Sequence, residues 1–277
     1  MELNDFLGYG FIQRALIAGS FIAILCSTLG VFLVLRRFSL IGDGLAHATF
    51  GSVALALLLR MSPVYVSIPL VMVCSLGILK LTEKANLHGD AAIGIVSSLG
   101  IATGILLSSM AGGFNIDLFS YLFGSILSIS STEVIISVVL SIGVILVITF
   151  FYNELLAITF DEDTAKASGI NISLINTVFV LLVAVTVVLS MKVVGIMLIS
   201  ALLIFPAVTA LQIASSFKAV MVVSSLSSVI SVITGIIFSF FLDLPTGATI
   251  IMINCILFIL ALIYKKVLVL LRNRPLL

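Results

Sequence analysis

Long apolar stretches broken by short clusters of charge set the plan of this chain. A helix needs about 20 apolar residues to cross the hydrocarbon layer of a membrane. Nine stretches meet or approach that length: 11–35, 40–59, 64–80, 91–111, 131–151, 172–190, 193–213, 219–241 and 246–264. The second is the least apolar, because it contains Asp43 and His47. Eight spans remain the alternative if one of the short stretches is re-entrant. No Pro/Gly linker, compositional shift or repeat of solenoid length divides the chain. Residues 1–277 therefore read as a single all-α polytopic membrane domain of 8–9 transmembrane helices.

Composition excludes the main alternatives to a membrane protein. The chain is 62% hydrophobic and 9% charged, with a mean hydropathy of +1.41. A soluble domain carries roughly 25% charge, so 13 basic and 12 acidic residues cannot cover a water-facing surface. That excludes a soluble enzyme, a nucleic-acid binder and a disordered scaffold. The net charge of +1 says little; its distribution says more. With the N-terminus outside and the C-terminus in the cytoplasm, ten basic residues face inward: Arg36, Arg37, Lys80, Lys84, Lys166, Lys218, Lys265, Lys266, Arg272 and Arg274. Only Arg14, Arg60 and Lys192 then face out. Basic residues favour the cytoplasmic side, so this orientation is expected. The first ten residues hold Glu2 and Asp5 but no basic residue, and the run that follows is too long for a signal-peptide core. It reads as a span.

Two connections exceed a simple turn. Residues 112–130 fall outside, and Phe114, Phe119, Tyr121 and Phe123 suit an interfacial or half-buried helix. Residues 153–171 fall on the cytoplasmic side. Asp161, Glu162, Asp163 and Thr164 resemble an acidic first helical turn, and Gly169 a C-terminal stop. A short surface helix is expected there, with a solvated loop as the alternative. Gly100 and Gly104 form a GxxxG, and the serine-rich segment 224–231 offers small residues for close helix contact. Pro206 is expected to kink its span. Cys26, Cys74 and Cys255 lie in apolar runs without CxxC spacing and read as core residues.

Ionisable groups inside spans carry the chemistry, because each costs several kcal/mol at the membrane centre. Asp43 and His47 are four residues apart and share a helical face. A carboxylate and an imidazole there supply half of a tetrahedral site, suited to zinc, manganese or iron rather than calcium or magnesium. An Asp–His hydrogen bond, or Asp43 as a helix N-cap after Ser39, is the structural alternative. Gly42, Gly44 and Gly51 permit close approach of a neighbour. His88, near Glu83 and Asp90, reads as part of a solvated loop, Lys192 as an interface anchor, and Asp117 and Asp243 as outer span ends. There is no G-x-x-x-x-G-K-[ST], no H-E-x-x-H and no G-x-S-x-G, so the chain carries no ATPase, metalloprotease or serine-hydrolase signature.

The stretch RRFSLIGDGLAHATFGSVAL resembles the signature of the ABC-3 family of metal-transport permeases, in which a basic pair precedes a G-D-x-L-x-H-A pattern. DLFSYLFGSILSIS, LLAITFDEDTAKASGI, SMKVVGIMLISALLIFPAVTA and DLPTGATIIMINCILFILA are similar to later segments of that family, in order and at matching spacing. The resemblance implies a fold like the membrane subunit of the vitamin B12 importer. It implies a homodimer, a separate cytoplasmic ABC ATPase that binds the ATP, and an extracytoplasmic solute-binding protein. The family's metal-contacting acid and histidine fall on Asp43 and His47. Its coupling element falls on Phe160, Asp161, Glu162, Asp163, Ala165 and Gly169. The chain itself is then expected to bind no cofactor and to pass a metal, zinc by the look of LAHA and SMKVVG, otherwise manganese or iron. A stand-alone secondary metal or proton transporter using the same pair is the rival, and it would need no ATP.

Overall fold

The computed structural model describes residues 8–84, 89–112 and 116–272. The described residues form twelve α-helices and no strand: α1 Gly10–Leu35, α2 Ile41–Leu58, α3 Pro63–Lys84, α4 Gly89–Met110, α5 Ile116–Phe123, α6 Ser131–Phe150, α7 Tyr152–Phe160, α8 Glu162–Ala167, α9 Ile172–Ser190, α10 Ile199–Ile213, α11 Phe217–Leu242 and α12 Thr246–Arg272. A 3₁₀ turn, Ile196–Leu198, leads into α10. Nine helices among the described residues are long and apolar enough to cross a membrane: α1 to α4, α6, α9, α10 with its 3₁₀ turn, α11 and α12. All nine expected spans are present.

Local chemistry fixes where these helices start and stop. Ser130 and Glu133 form a reciprocal capping box at α6, in which Glu133 N donates to Ser130 Oγ at 3.2 Å and Ser130 N to Glu133 Oε2 at 2.9 Å. The side chains of Asn171 and Ser216 cap α9 and α11. Helices α1, α2 and α11 end on left-handed residues, Arg37, Arg60 and Asp243, at φ 55°, 56° and 53°. At each end an amide reaches back around the turn, as from Phe38 to Leu33 O at 2.9 Å and from Met61 to Ala56 O at 2.9 Å.

Helices α1 and α2 form the centre. Some 72% of the residues in the apolar window of each are buried, against 22% for α6. Helix α6 turns Ile135, Val139, Leu146 and Phe150 outward, all exposed. Around α1 pack α6, α10 and α11; α2 lies between α3 and α4; α3 also leans on α9. Hydrophobicity cannot drive apolar helices together in lipid, so close approach and polar contacts must. Gly30 lies against the backbone of Leu203, and Gly235 against Ile250. The GxxxG works the same way: Gly100 rests on the His47 backbone and Gly104 on the Phe50 ring. The serine-rich segment joins α11 to its neighbours through Ser224 to Ser27 O at 3.4 Å and Ser231 to Asn254 at 3.0 Å. All three cysteines are free, with Cys26 buried against Ser190. Pro206 lies inside α10 without ending it. Helix α5 is half-buried, with Leu118 and Tyr121 inward and Phe119 and Phe123 outward; Phe114 lies outside the described residues.

Candidate metal site and coupling segment

The turn between α1 and α2 is tied to α9 through the Arg36 side chain. The guanidinium of Arg36 donates to Asn176 Oδ1 and lies 5.2 Å from the centroid of the Phe179 ring. These partners lie four and seven residues into α9, about 6 and 10 Å along it at 1.5 Å per residue. Helix α2 follows this turn, and its first turn carries Asp43.

Asp43 and His47 do share a face. His47 Nε2 lies 3.7 Å from Asp43 Oδ2, beyond hydrogen-bond length. Asp43 is not a cap: Leu40 occupies the N-cap of α2, which has no side-chain capping bond. The Asp43 side chain is 50% exposed and that of His47 only 19%. His47 Nδ1 is buried with no hydrogen-bond partner among the described residues, a situation that costs about 1–3 kcal/mol. The other carboxylate oxygen, Oδ1, accepts from Ser200 Oγ at 3.3 Å. Ser200 is the second residue of α10. Asp43 thus lies at the start of two helices, its own and α10, and both helix dipoles favour negative charge there. Gly30 makes the approach of α10 possible, since a side chain there would collide with the Leu203 backbone, and Gly42 leaves room for the tip of the Leu203 side chain.

The result is an incompletely satisfied trio of a carboxylate, an imidazole and a hydroxyl. Among the described residues no three His, Cys, Asp or Glu side chains converge. One chain therefore offers two strong ligands for a transition metal and a weaker third donor, short of a closed four-ligand site. His88 lies outside the described residues, as do the side chains of Glu83 and Asp117. Asp90 begins α4, and Asp243 caps α11.

Lys192 behaves differently from the expected interface anchor. Its Nζ lies 3.3 Å from Glu133 Oε1 and 4.5 Å from the centroid of the Tyr121 ring. The side chains of Lys192 and Glu133 are only 14% and 21% exposed. The pair ties α6 to the α9–α10 connection.

The segment 153–171 is two helices rather than one. Helix α7 continues α6 after a turn at Phe151, and Asp161, in extended conformation at φ −155° and ψ 103°, separates it from the six-residue α8. Asp161 is the N-cap of α8 rather than part of its first turn: Thr164 N and Oγ1 donate to its carboxylate at 3.1 and 2.6 Å. These bonds hold the Asp161 carboxyl below its ordinary value. Glu162 and Asp163 form the exposed acidic first turn, Ala165 faces inward, and Gly169 closes the helix at φ 83°. Phe160 is exposed, yet its ring meets Phe217 of α11 at 6.0 Å. Phe217 in turn contacts Phe32 of α1 at 5.3 Å, and Phe32 contacts Phe179 at 6.2 Å. A row of rings thus connects Phe160, the last residue of α7, to the residue beneath Arg36. Burial works against the Arg36 cation, and the Glu162 carboxylate works for it. A cavity of about 490 Å³ lies between, lined by Arg36, Arg37, Thr82, Phe160, Glu162 and Asn176.

Ser200, Asn176 and Phe217 are absent from the candidates drawn from the sequence. Each acts through a partner far along the chain, and none belongs to a local pattern.

The sequence profile of the ABC 3 transport family matches residues 8–265. The chain belongs to that family. It is 32% identical over 262 residues to the manganese transport system membrane protein MntC of Halalkalibacterium halodurans, covering 95% of this chain and 90% of that protein. It is 31% identical over 255 residues to the high-affinity zinc uptake system membrane protein ZnuB of Haemophilus influenzae, covering 91% and 97%. The fold superposes on a chain of PsaBC from Streptococcus pneumoniae, solved in complex with Fab, at a TM-score of 0.82 and 31% identity, over 94% of this chain and 93% of that one. A metal-chelate type ABC transporter in an inward-facing conformation shares the fold at a TM-score of 0.70 and 18% identity, over 91% and 85%.

Proposed function

We propose that this chain is the membrane-spanning permease subunit of an ATP-driven importer of a divalent first-row transition metal, with Asp43 and His47 as its contacts to the ion. The observation that carries this reading is the incompletely satisfied trio on α2 and α10 of an ABC 3 family chain: a half-exposed carboxylate, a buried imidazole nitrogen without a partner, and a hydroxyl. Ionisable groups within spans are costly and mark ion pathways. The trio has the softness of zinc, manganese or iron. LAHA and SMKVVG favour zinc, and the relatives are named for both manganese and zinc.

In this reading two copies face each other, and each contributes one carboxylate and one imidazole. An extracytoplasmic binding protein delivers the metal between them. Asp43 and His47 replace part of the ion's hydration shell weakly enough for release. The N-terminus lies outside and the C-terminus in the cytoplasm, which puts α8 on the ATPase side. The chain has no phosphate-binding loop, so a partner ATPase hydrolyses ATP and pushes on Phe160, Asp161, Glu162, Asp163, Ala165 and Gly169. The row Phe160–Phe217–Phe32–Phe179 and the Arg36–Asn176 bond then carry that movement to the turn before Asp43.

The test is uptake of zinc and manganese into vesicles holding the permease and its ATPase, with and without internal or external ATP as the orientation requires. The reading expects uptake only where ATP reaches the ATPase. Equal uptake without ATP would instead identify a secondary transporter.

A further inference from the structure

Ser200 is one of a few helical hydroxyls here that reach another helix, as Ser52, Ser224 and Ser231 also do, and its partner is a carboxylate. Ser and Thr in a helix commonly donate to the carbonyl three or four residues earlier. Thr28, Thr49, Thr186, Ser190 and Thr209 all do so here, at 2.7–2.8 Å. Ser200 donates across to Asp43 Oδ1 on another helix, at 3.3 Å. This bond is long for O–H···O, so the hydroxyl is aimed at the carboxylate without being locked to it. The aim is built into the backbone. Gly30 of α1 and Gly42 of α2 each leave room for Leu203, which seats the first turn of α10 against both helices.

We propose that Ser200 is the specificity-determining residue of this site, setting the balance between manganese and zinc; this rests on Asp43 and His47 contacting the ion. A serine hydroxyl has one donor and two acceptor lone pairs. With its proton on Asp43, the oxygen remains available beside the carboxylate. One chain then brings a carboxylate, an imidazole and a neutral oxygen, and two chains bring six donors. Oxygen-rich, six-coordinate surroundings suit manganese, whereas four ligands with imidazole satisfy zinc. The hydroxyl therefore matters more for manganese.

The experiment titrates the purified full-length chain in lipid nanodiscs with MnCl2 or ZnCl2 alone. It reads manganese by its electron paramagnetic resonance signal and zinc by equilibrium dialysis. Four chains are compared: wild type, Ser200→Ala, Ser200→Thr and Asp43→Ala. Ser200→Ala is expected to weaken manganese binding about tenfold and zinc binding less than about threefold, the scale of one hydrogen bond to a charged group. Ser200→Thr keeps the hydroxyl and is expected to keep the wild-type ratio. A merely structural Ser200 would lower both ions equally in Ser200→Ala, or would give the wild-type ratio there; either result overturns the proposal while leaving the Asp43 site intact. Binding by Asp43→Ala equal to wild type for both ions would overturn the site itself.

Discussion

Two pairs of ionisable side chains belong to this bundle, and they are built on opposite principles. Between α6 and the α9–α10 connection, Lys192 and Glu133 lie 3.3 Å apart. Glu133 gives its second oxygen to the Ser130 cap, and Lys192 lies over Tyr121. Within α2, Asp43 and His47 lie 3.7 Å apart, one nitrogen of the ring is buried without a partner, and the carboxylate receives a single long bond. The first pair satisfies its own desolvation; the second leaves it to something else. A buried charge needs a partner. Lys192 and Glu133 have each other and join helices, while in the proposed reading half-exposed Asp43 and the unpartnered His47 engage a passing cation.

Substitutions can break this contrast in order of size. Asp43→Ala or His47→Ala should reduce metal uptake by about 100-fold, the upper range for disturbing a metal site. Asp43→Ala should not lower thermal stability by more than about 0.5 kcal/mol, because no strong bond is lost. His47→Ala also leaves a cavity at a largely buried ring, so His47→Gln is its size-matched control, with melting and uptake read on the same preparation. Glu133→Ala should do the reverse. It removes the Glu133 half of the capping box, while Ser130 still caps, and takes the carboxylate away from a largely buried ammonium, for a total of about 2–3 kcal/mol. Transport per folded molecule should persist. Gly100→Ala should cost about 1–3 kcal/mol through overpacking against the His47 backbone. It should also weaken metal binding a few-fold by displacing the imidazole, so a stability loss with unchanged binding would separate α4 packing from the site.

The smallest effect concerns α8. The folded-state pKa of Asp161 is depressed by its bonds from Thr164, so its capping contribution is present above the ordinary aspartate value of 3.8 and disappears as pH falls through the lower folded value. Hydrogen exchange at the amides of residues 164–170 should speed up only on that acid side. Asp161→Asn, which still accepts the bond, should flatten the pH dependence at neutral-pH protection close to wild type.

How much of this was legible in the chain depends on the range over which each feature is encoded. Burial in lipid is a local, one-dimensional property, so the expected span 131–151 corresponds to Ser131–Phe150 and 40–59 to Ile41–Leu58. The last span was underestimated because α12 continues through Lys265 and Lys266, where charge ends the apolar run without ending the helix. The i, i+4 spacing of Asp43 and His47 was equally readable. Ser200 was not, because it reaches Asp43 only once Gly30 and Gly42 have let α10 settle on α1 and α2. The true role of Lys192 was hidden for the same reason, since Glu133 belongs to another helix. In residues 153–171, composition indicated a helix and its stop at Gly169. Only the backbone distinguishes Asp161 as a cap from Asp161 as part of the first turn.

The contrast between an open and a closed pair is tested most directly by one paired measurement. Thermal midpoint and ATP-dependent metal uptake per folded permease would be compared for the size-matched Asp43→Asn/His47→Gln and for Glu133→Gln/Lys192→Met. The account predicts lost uptake with an unchanged midpoint for the first, and retained uptake with a lowered midpoint for the second. Retained uptake in the first, or a midpoint that falls there as far as in the second, would show that Asp43 and His47 hold the bundle together and would contradict their role in carrying the metal.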